Sequence, residues 1–192
     1  TAMVQTHNLS VSGGSDNSRY FVSGNFFDQD GIIEKSNFKR YSLRVNFELD
    51  LNEKTRIGLN LAPSYVVSDK VPAGSPYFAR PPGVVYSGIV HAPFVKPYND
   101  DGSINQLNNQ SYILTREGQT TSFTTASNPL AIIDAIDDRL NQNRTFGNIY
   151  GEYDIANDLT FKSYFGVDVN NYKRNFYRGS SLLYRNSATG ET

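Results

Sequence analysis

The sequence predicts an all-β fold: antiparallel, up-and-down strands of a transmembrane β-barrel. It supplies a partial barrel of about six strands, with one long extracellular loop that contains a short helix. Three observations predict it. First, Tyr41, Leu43, Val45, Phe47, Leu49 and Leu51 take every second position, with Ser42, Arg44, Asn46, Glu48 and Asp50 between them. Successive strand side chains point to opposite faces, so this segment has one apolar face and one polar face. Second, the alternation outruns the usual strand of about 5–6 residues and reaches the roughly 9–11 residues that a tilted strand needs to cross a bilayer. Third, short polar turns alternate with long connections, the rhythm of outer-membrane barrels with tight turns inside and long loops outside.

The elements follow in order. His7 to Gly14 alternates weakly, and Ser15-Asp16-Asn17-Ser18 is a turn cluster that leads into a second strand from Arg19 to Asp28. Gln29-Asp30-Gly31 breaks that strand, and Ile32 to Asn37 connects it to the long third strand, about Phe38 to Leu51. Asn52-Glu53-Lys54-Thr55 is a tight turn, and Arg56 to Ser68 is a fourth strand with Ile57, Leu59, Leu61, Tyr65 and Val67 on one face. Pro63 interrupts that face and predicts a bulge or an edge, because proline donates no ladder hydrogen bond. Strands resume at about Asn143, where Gly147, Ile149, Gly151, Tyr153 and Ile155 share a face. After the turn Ala156-Asn157-Asp158 a sixth strand starts at Leu159 and runs to about Arg178.

Between the fourth and fifth strands lies a connection of about residues 69–141. Pro72, Pro76, Pro81, Pro82, Pro93 and Pro97 make its first half irregular, and Asn99-Asp100-Asp101-Gly102-Ser103 is a turn. Pro129 to Leu140 carries apolar residues at helical spacing, with Asn128 placed to cap the helix. Tyr77, Phe78, Arg80, Tyr86, His91 and Tyr98 crowd this connection, beside Phe94 and Lys96. Rings with polar groups around them suit a binding pocket, so these residues are candidates for substrate or partner contact. The alternative is that the rings pack the loop against itself, since a long ordered loop needs a small core of its own.

Composition excludes several function classes. The formal net charge of −1 gives no electrostatic case for nucleic acid. The absence of cysteine removes disulfides and thiolate metal sites. No apolar run approaches the roughly 18 residues of a membrane helix, which leaves barrel strands open, because their hydrophobicity is hidden in alternation. Thirteen Tyr and twelve Phe, with no Trp, leave Tyr to serve alone in any interfacial girdle. The chain opens at Thr1 without a signal peptide and closes on a polar stretch, so it is expected to be a fragment of a longer protein.

No catalytic, cofactor or metal site is expected. His7 and His91 are far apart and lack a nucleophile-elbow motif, so they read as a strand and a loop histidine rather than as parts of a triad. The Asn99–Ser103 segment lacks the further oxygens and closing Glu of a calcium loop. Gly13-Gly14 has no following Lys-Ser/Thr and no helix, so it is not a phosphate loop. Arg44, Glu48 and Asp50 on the polar face of the third strand would face a barrel lumen, or else form a plain solvated face.

Several blocks together carry a family resemblance. His7-Asn8-Leu9-Ser10-Val11-Ser12-Gly13-Gly14, Tyr20-Phe21-Val22-Ser23-Gly24, Asp30-Gly31-Ile32-Ile33, Lys39 to Asn46 and Asn128-Pro129-Leu130-Ala131 resemble, in content and spacing, the first barrel strands of the SusC/RagA family. Those are TonB-dependent outer-membrane transporters of Bacteroidetes. The resemblance runs from about His7 to Arg178 and implies that residues 1–192 are an N-terminal part of the receptor barrel, with 72–140 as a long extracellular loop. It implies a barrel of about 22 strands around an N-terminal plug. It also implies a SusD-like lipoprotein lid, outer-membrane lipid around the wall, and import of a glycan or oligopeptide driven by TonB through parts absent from this sequence. With about six strands the chain could not span a bilayer alone, because open strand edges do not survive in lipid. The competing readings are a soluble β-sandwich carbohydrate-binding module, which would bury the apolar face in a core, and a β-rich surface hydrolase, which would need clustered carboxylates at a cleft.

Overall fold

Alternation dictates strands, and the computed structural model contains them at membrane-spanning length; it describes residues 2–73, 83–105, 111–116, 119–124 and 128–179. The elements are β1 (Val4–Ser15), β2 (Ser18–Asp30), β3 (Asn37–Asn52), β4 (Thr55–Asp69), α1 (Val84–Val90), β5 (Ser111–Arg116), β6 (Gln119–Thr124), α2 (Pro129–Ala135), β7 (Ile136–Ala156) and β8 (Leu159–Arg178). Six strands form one antiparallel sheet in the order β1-β2-β3-β4-β7-β8, and β5 and β6 form a separate hairpin. Neighbours in the sheet are also neighbours in sequence, apart from the step over the long connection. This is the up-and-down pattern expected.

Three expectations need correction. The connection before β7 holds two short helices and a hairpin, not one helix. The helix after Asn128 stops at Ala135 rather than Leu140, and β7 begins at Ile136 rather than at about Asn143. Ile132, Ile133, Ile136 and Leu140 satisfy helical spacing, yet from Ile136 onward the chain alternates buried and exposed, and the Asp138 carbonyl accepts a hydrogen bond from the Lys70 amide at 2.8 Å. Strand pairing therefore overrides the helical pattern. Pro63 does not mark an edge: β4 lies between β3 and β7.

The described residues divide between two compact units. The first draws on Thr1–Gly31, Asn37–Ser68 and Leu140–Arg174. It is a single layer with no hydrophobic core among its described residues. Its register is set by β1–β2 and β2–β3: His7 faces Phe26, which faces Tyr41, while Asn8 faces Asn25, which faces Ser42. The first set belongs to the apolar face and the second to the polar face. Apolar residues on the uncovered face are open: Leu9 is 80% exposed and Phe165 72%. A domain stable in water buries one face of its sheet against another layer, and this one does not.

The second unit draws on Ile32–Ser36, Asp69–Arg139 and Asn175–Thr192. It has a small core of Val84, Ala131, Ile132, Ala135 and Ile136, against which Ile33, Val71, Ile104 and Phe176 pack. Asn128 organises it. Its Oδ1 accepts from the Leu130 amide at 3.1 Å, capping α2, with Pro129 in the first helical position. Its Nδ2 donates to the carbonyls of Pro97 (2.7 Å) and Asn105 (2.8 Å). The side chain is fully buried. Only a carboxamide offers two N–H donors and an acceptor here, so the Asn-Pro-Leu-Ala block has a physical reason. The expected turn at Asn99 is present: the Gly102 amide donates to the Asn99 carbonyl at 3.0 Å, and Gly102 takes φ +82°, which glycine adopts without strain. Asp101 Oδ1 accepts from the Ser103 amide and hydroxyl at 2.9 and 2.6 Å. Those bonds hold its carboxyl below its ordinary pKa.

Candidate functional site

The two faces of the six-stranded sheet are chemically distinct, and the apolar one is zoned along the strands. Across β1 to β4, His7, Phe26, Tyr41 and Tyr65 form a row of rings, with centroids 6.1, 5.0 and 6.3 Å apart in sequence along the row. Histidine and phenylalanine share this row with tyrosine, which the expectation of tyrosine alone did not foresee. Two residues beyond the rings on the same face, Lys39 pairs with Asp28 at 3.0 Å. In the other direction the face runs through Leu43 and Val45 to Phe47, which faces Tyr20 across the ladder, and on to Leu49 and Leu51. The ten residue steps from Tyr41 to Leu51 rise about 33 Å along the strand, or about 25 Å at the usual tilt, the height of a barrel's apolar band. Charges, then a row of rings, then a continuous apolar run is the profile of a lipid-facing wall at a headgroup boundary.

The polar face carries connected side chains. Near the tight turns, Glu48 bonds Arg19 at 3.0 Å and accepts from Tyr150 Oη at 2.8 Å. Tyr150 reaches Glu48 across Gly58, where an added Cβ would lie 2.1 Å from the Tyr150 ring. Glycine here admits the ring. Arg56 pairs with Asp50 (2.6 Å) and Glu152 (3.7 Å), and Glu152 also pairs with Lys162, whose Nζ lies 4.7 Å from the Tyr150 ring centroid. Every cation of this network meets a carboxylate.

Farther from those turns, the same face holds a cleft of about 470 Å³ lined by Arg40, Arg44 and Arg144, with Ser42, Ser64 and Phe146 among its walls. Arg144 makes a two-pronged pair with Asp168 at 3.0 and 2.7 Å. Arg40 lies over the Phe27 ring at 5.7 Å. The polar-face reading of Arg44, Glu48 and Asp50 agrees with this arrangement. Sequence reasoning missed Arg144, Tyr150 and Gly58. Their alternation parity was visible, but Tyr150 meets Gly58 and Glu48, and Arg144 shares a cleft with Arg44, across a long connection whose register no local pattern supplies.

The candidate loop residues divide. Tyr77, Phe78 and Arg80 lie outside the described residues. Tyr86 is half-buried on α1. His91 closes that helix, and its Nε2 is 3.2 Å from the Val95 carbonyl, so the ring braces its own turn. Tyr98 is exposed and forms a bridge with Ile104 at the base of the Asn99 turn.

Comparison with known proteins bears on this geometry. No family model matches the chain. It is 28% identical over 194 residues to the TonB-dependent receptor P3 of Formosa agariphila, covering 100% of this chain and 18% of that protein. It is 27% identical over 164 residues to the TonB-dependent receptor SusC of Bacteroides thetaiotaomicron, covering 80% of this chain and 15% of that protein. The RagAB peptide transporter structure superposes with a TM-score of 0.70 at 23% identity, over 97% of this chain and 20% of that one, a likeness of fold. The chain thus spans less than a fifth of the length of these curated relatives. Sequence and fold agree that the chain is homologous to a segment of the SusC/RagA-type TonB-dependent receptors, a family of outer-membrane transporters rather than enzymes.

Proposed function

We propose that this chain is part of the membrane wall of a TonB-dependent importer of glycans or oligopeptides. The second unit would lie in its outside loop region, spanning about residues 72–140. The observation that carries the reading is the single-layer sheet: strands of 12 to 21 residues whose apolar face is uncovered and runs from a charged pair through a row of rings into a continuous apolar stretch. A sandwich module would cover that face with a second sheet. A lipid bilayer covers it without one, and the polar face then lines the lumen.

In this reading Tyr77, Phe78, Arg80, Tyr86, His91 and Tyr98 belong to the region that meets substrate or a SusD-like lipoprotein lid. The exposure of Val85 and Ile89 on α1, and of Phe94 and Tyr98, supports a contact role for this region. Substrate would be captured between barrel and lid, and a plug pulled by TonB would open the passage. The test is fractionation of the full-length receptor from its native host. Recovery in the outer membrane, with β-structure kept in detergent and a lipoprotein co-purifying, is the expected result. A soluble monomer that unfolds cooperatively in plain buffer would overturn the reading.

A further inference from the structure

The polar face of the sheet is divided by charge. Near the tight turns Arg19, Arg56 and Lys162 are matched by Glu48, Asp50 and Glu152. In the cleft of about 470 Å³, three guanidinium groups meet one carboxylate: Arg144 is paired with Asp168, whereas Arg40 and Arg44 have no ion pair among the described residues. The cleft therefore holds two uncompensated positive charges, in a chain whose overall charge is −1.

We infer that this cleft is a binding site for an anionic saccharide, one carrying carboxylate or sulfate groups, with Arg44 as its principal anchor. The inference deepens the importer reading and rests on it, because it takes the polar face as the lumen. A guanidinium presents a planar fork of donors that fits the two oxygens of a carboxylate or sulfate. A recessed wall of one sign also concentrates counter-ions. Arg44 faces Ser23 across the β2–β3 ladder, and Ser42 faces Asn25. Among the described residues, the Ser42 and Ser64 hydroxyls make only long hydrogen bonds of 3.5 Å, to Asn25 Oδ1 and to the Arg144 carbonyl, so they can turn to a ligand. Phe146 is 51% exposed and offers a ring face. Hydroxyls and an amide for sugar hydroxyls, a ring for a sugar face and free guanidinium for an acidic group are complementary to an acidic sugar unit. The cleft's size lies within the about 300–1,000 Å³ of ligand sites.

The experiment uses the full-length receptor purified in detergent. Binding of oligogalacturonate, a sulfated galacto-oligosaccharide and a neutral malto-oligosaccharide is measured by calorimetry for the wild type, Arg44→Gln and Arg44→Lys. The expected result is that an anionic probe binds, that rising salt weakens it, and that the neutral probe binds far less. Arg44→Gln should weaken the anionic probe by about tenfold or more, the scale of a lost charge-assisted hydrogen bond. Arg44→Lys should retain part of the affinity. Equal affinities for wild type and Arg44→Gln, with unchanged circular dichroism, would overturn the proposal. So would failure of the wild type to bind either anionic probe while Arg44→Gln lowers the melting temperature of the empty receptor; Arg44 would then be anchoring a carboxylate elsewhere in the same protein. Either failure leaves the wall reading standing if the receptor is an outer-membrane barrel. A receptor that is soluble without detergent fails the wall reading itself.

Discussion

The two units of this chain solve opposite solvent problems with the same kinds of residue. The second unit buries Val84, Ala131, Ile132, Ala135 and Ile136 in a core and ties its loops together through the fully satisfied Asn128. The first leaves Leu9, Leu43, Phe161 and Phe165 uncovered on one face, where Lys39–Asp28 is an ion pair beyond the rings, and puts the connected network of Arg19, Glu48, Asp50 and Arg56 on the other. Hydrophobic burial within the chain stabilises the one. Burial against something outside the chain must stabilise the other. An exposed leucine is ordinary by itself, but a whole zoned face of them defines the missing solvent.

The sharpest way to break this contrast is to charge the apolar face. Val45→Arg places a cation amid the apolar run of β3 and is expected to destabilise the receptor in lipid by about 2–4 kcal/mol, the cost near a bilayer midplane. Asn46→Arg, one residue away on the polar face, should be nearly neutral. Folding titrations of the full-length receptor into lipid vesicles compare the two, and equal costs would mean that the faces are misassigned.

The second test strikes the other unit. Asn128→Ala removes the α2 cap and both carboxamide donors, leaving the Asn105 carbonyl without its Nδ2 partner and the Pro97 carbonyl with the Asn105 amide alone. A local loss of about 2–3 kcal/mol is expected, as a cap of about 1 and unsatisfied groups of about 1–3 would give. Hydrogen exchange should accelerate over 96–105 and 128–136 and stay unchanged in β1–β3. Asn128→Asp keeps the cap acceptor but sets a second carboxylate oxygen against the two carbonyl oxygens in a fully buried site, and should cost at least as much as alanine.

A third substitution probes the polar network. Gly58→Ala would drive a Cβ into the Tyr150 ring and break its bond to Glu48, at a cost of about 1–3 kcal/mol for overpacking. Pairing it with Tyr150→Ala should recover much of that cost, because the ring is then gone. Additive losses in the double mutant would show that the ring does not cross Gly58.

The smallest expected effect is a pH dependence of the Asn99 turn. Asp101 titrates below its ordinary value because Ser103 donates to it twice. Its contribution is therefore present above the unfolded carboxylate pKa and is lost as pH falls through the lowered folded value. Exchange at the Ser103 amide should rise in acid, and Asp101→Asn should remove most of that pH dependence.

Much of the sheet was legible in the sequence. Strict alternation in β3 identifies the strand and assigns each residue to a face, and the turn residues around Asn17, Lys54 and Asn157 fall where the strands reverse. The Asn128 cap was legible too, since an asparagine before proline has a local reason to sit there. The start of β7 was not, because the apolar spacing through Ile136 satisfies a helix and a strand equally, and only pairing with Lys70 breaks the tie. The cleft was legible only in part: Arg44 carries its parity in its own strand. Its neighbour Arg144 is a hundred residues away in the chain, and no local rule relates the two.

What the sequence determined by itself is periodic and local: strand length, the face of each side chain, the turns and one cap. Each depends on a residue and its near neighbours, where backbone geometry leaves few choices. What only the tertiary structure decided is register across the long connection. That register brings Tyr150 over Gly58 to Glu48 and sets Arg144 beside Arg44 in one cleft. The physical reason is that pairing of β4 with β7 is selected by the sum of many contacts along both strands, a quantity that no single stretch of sequence contains.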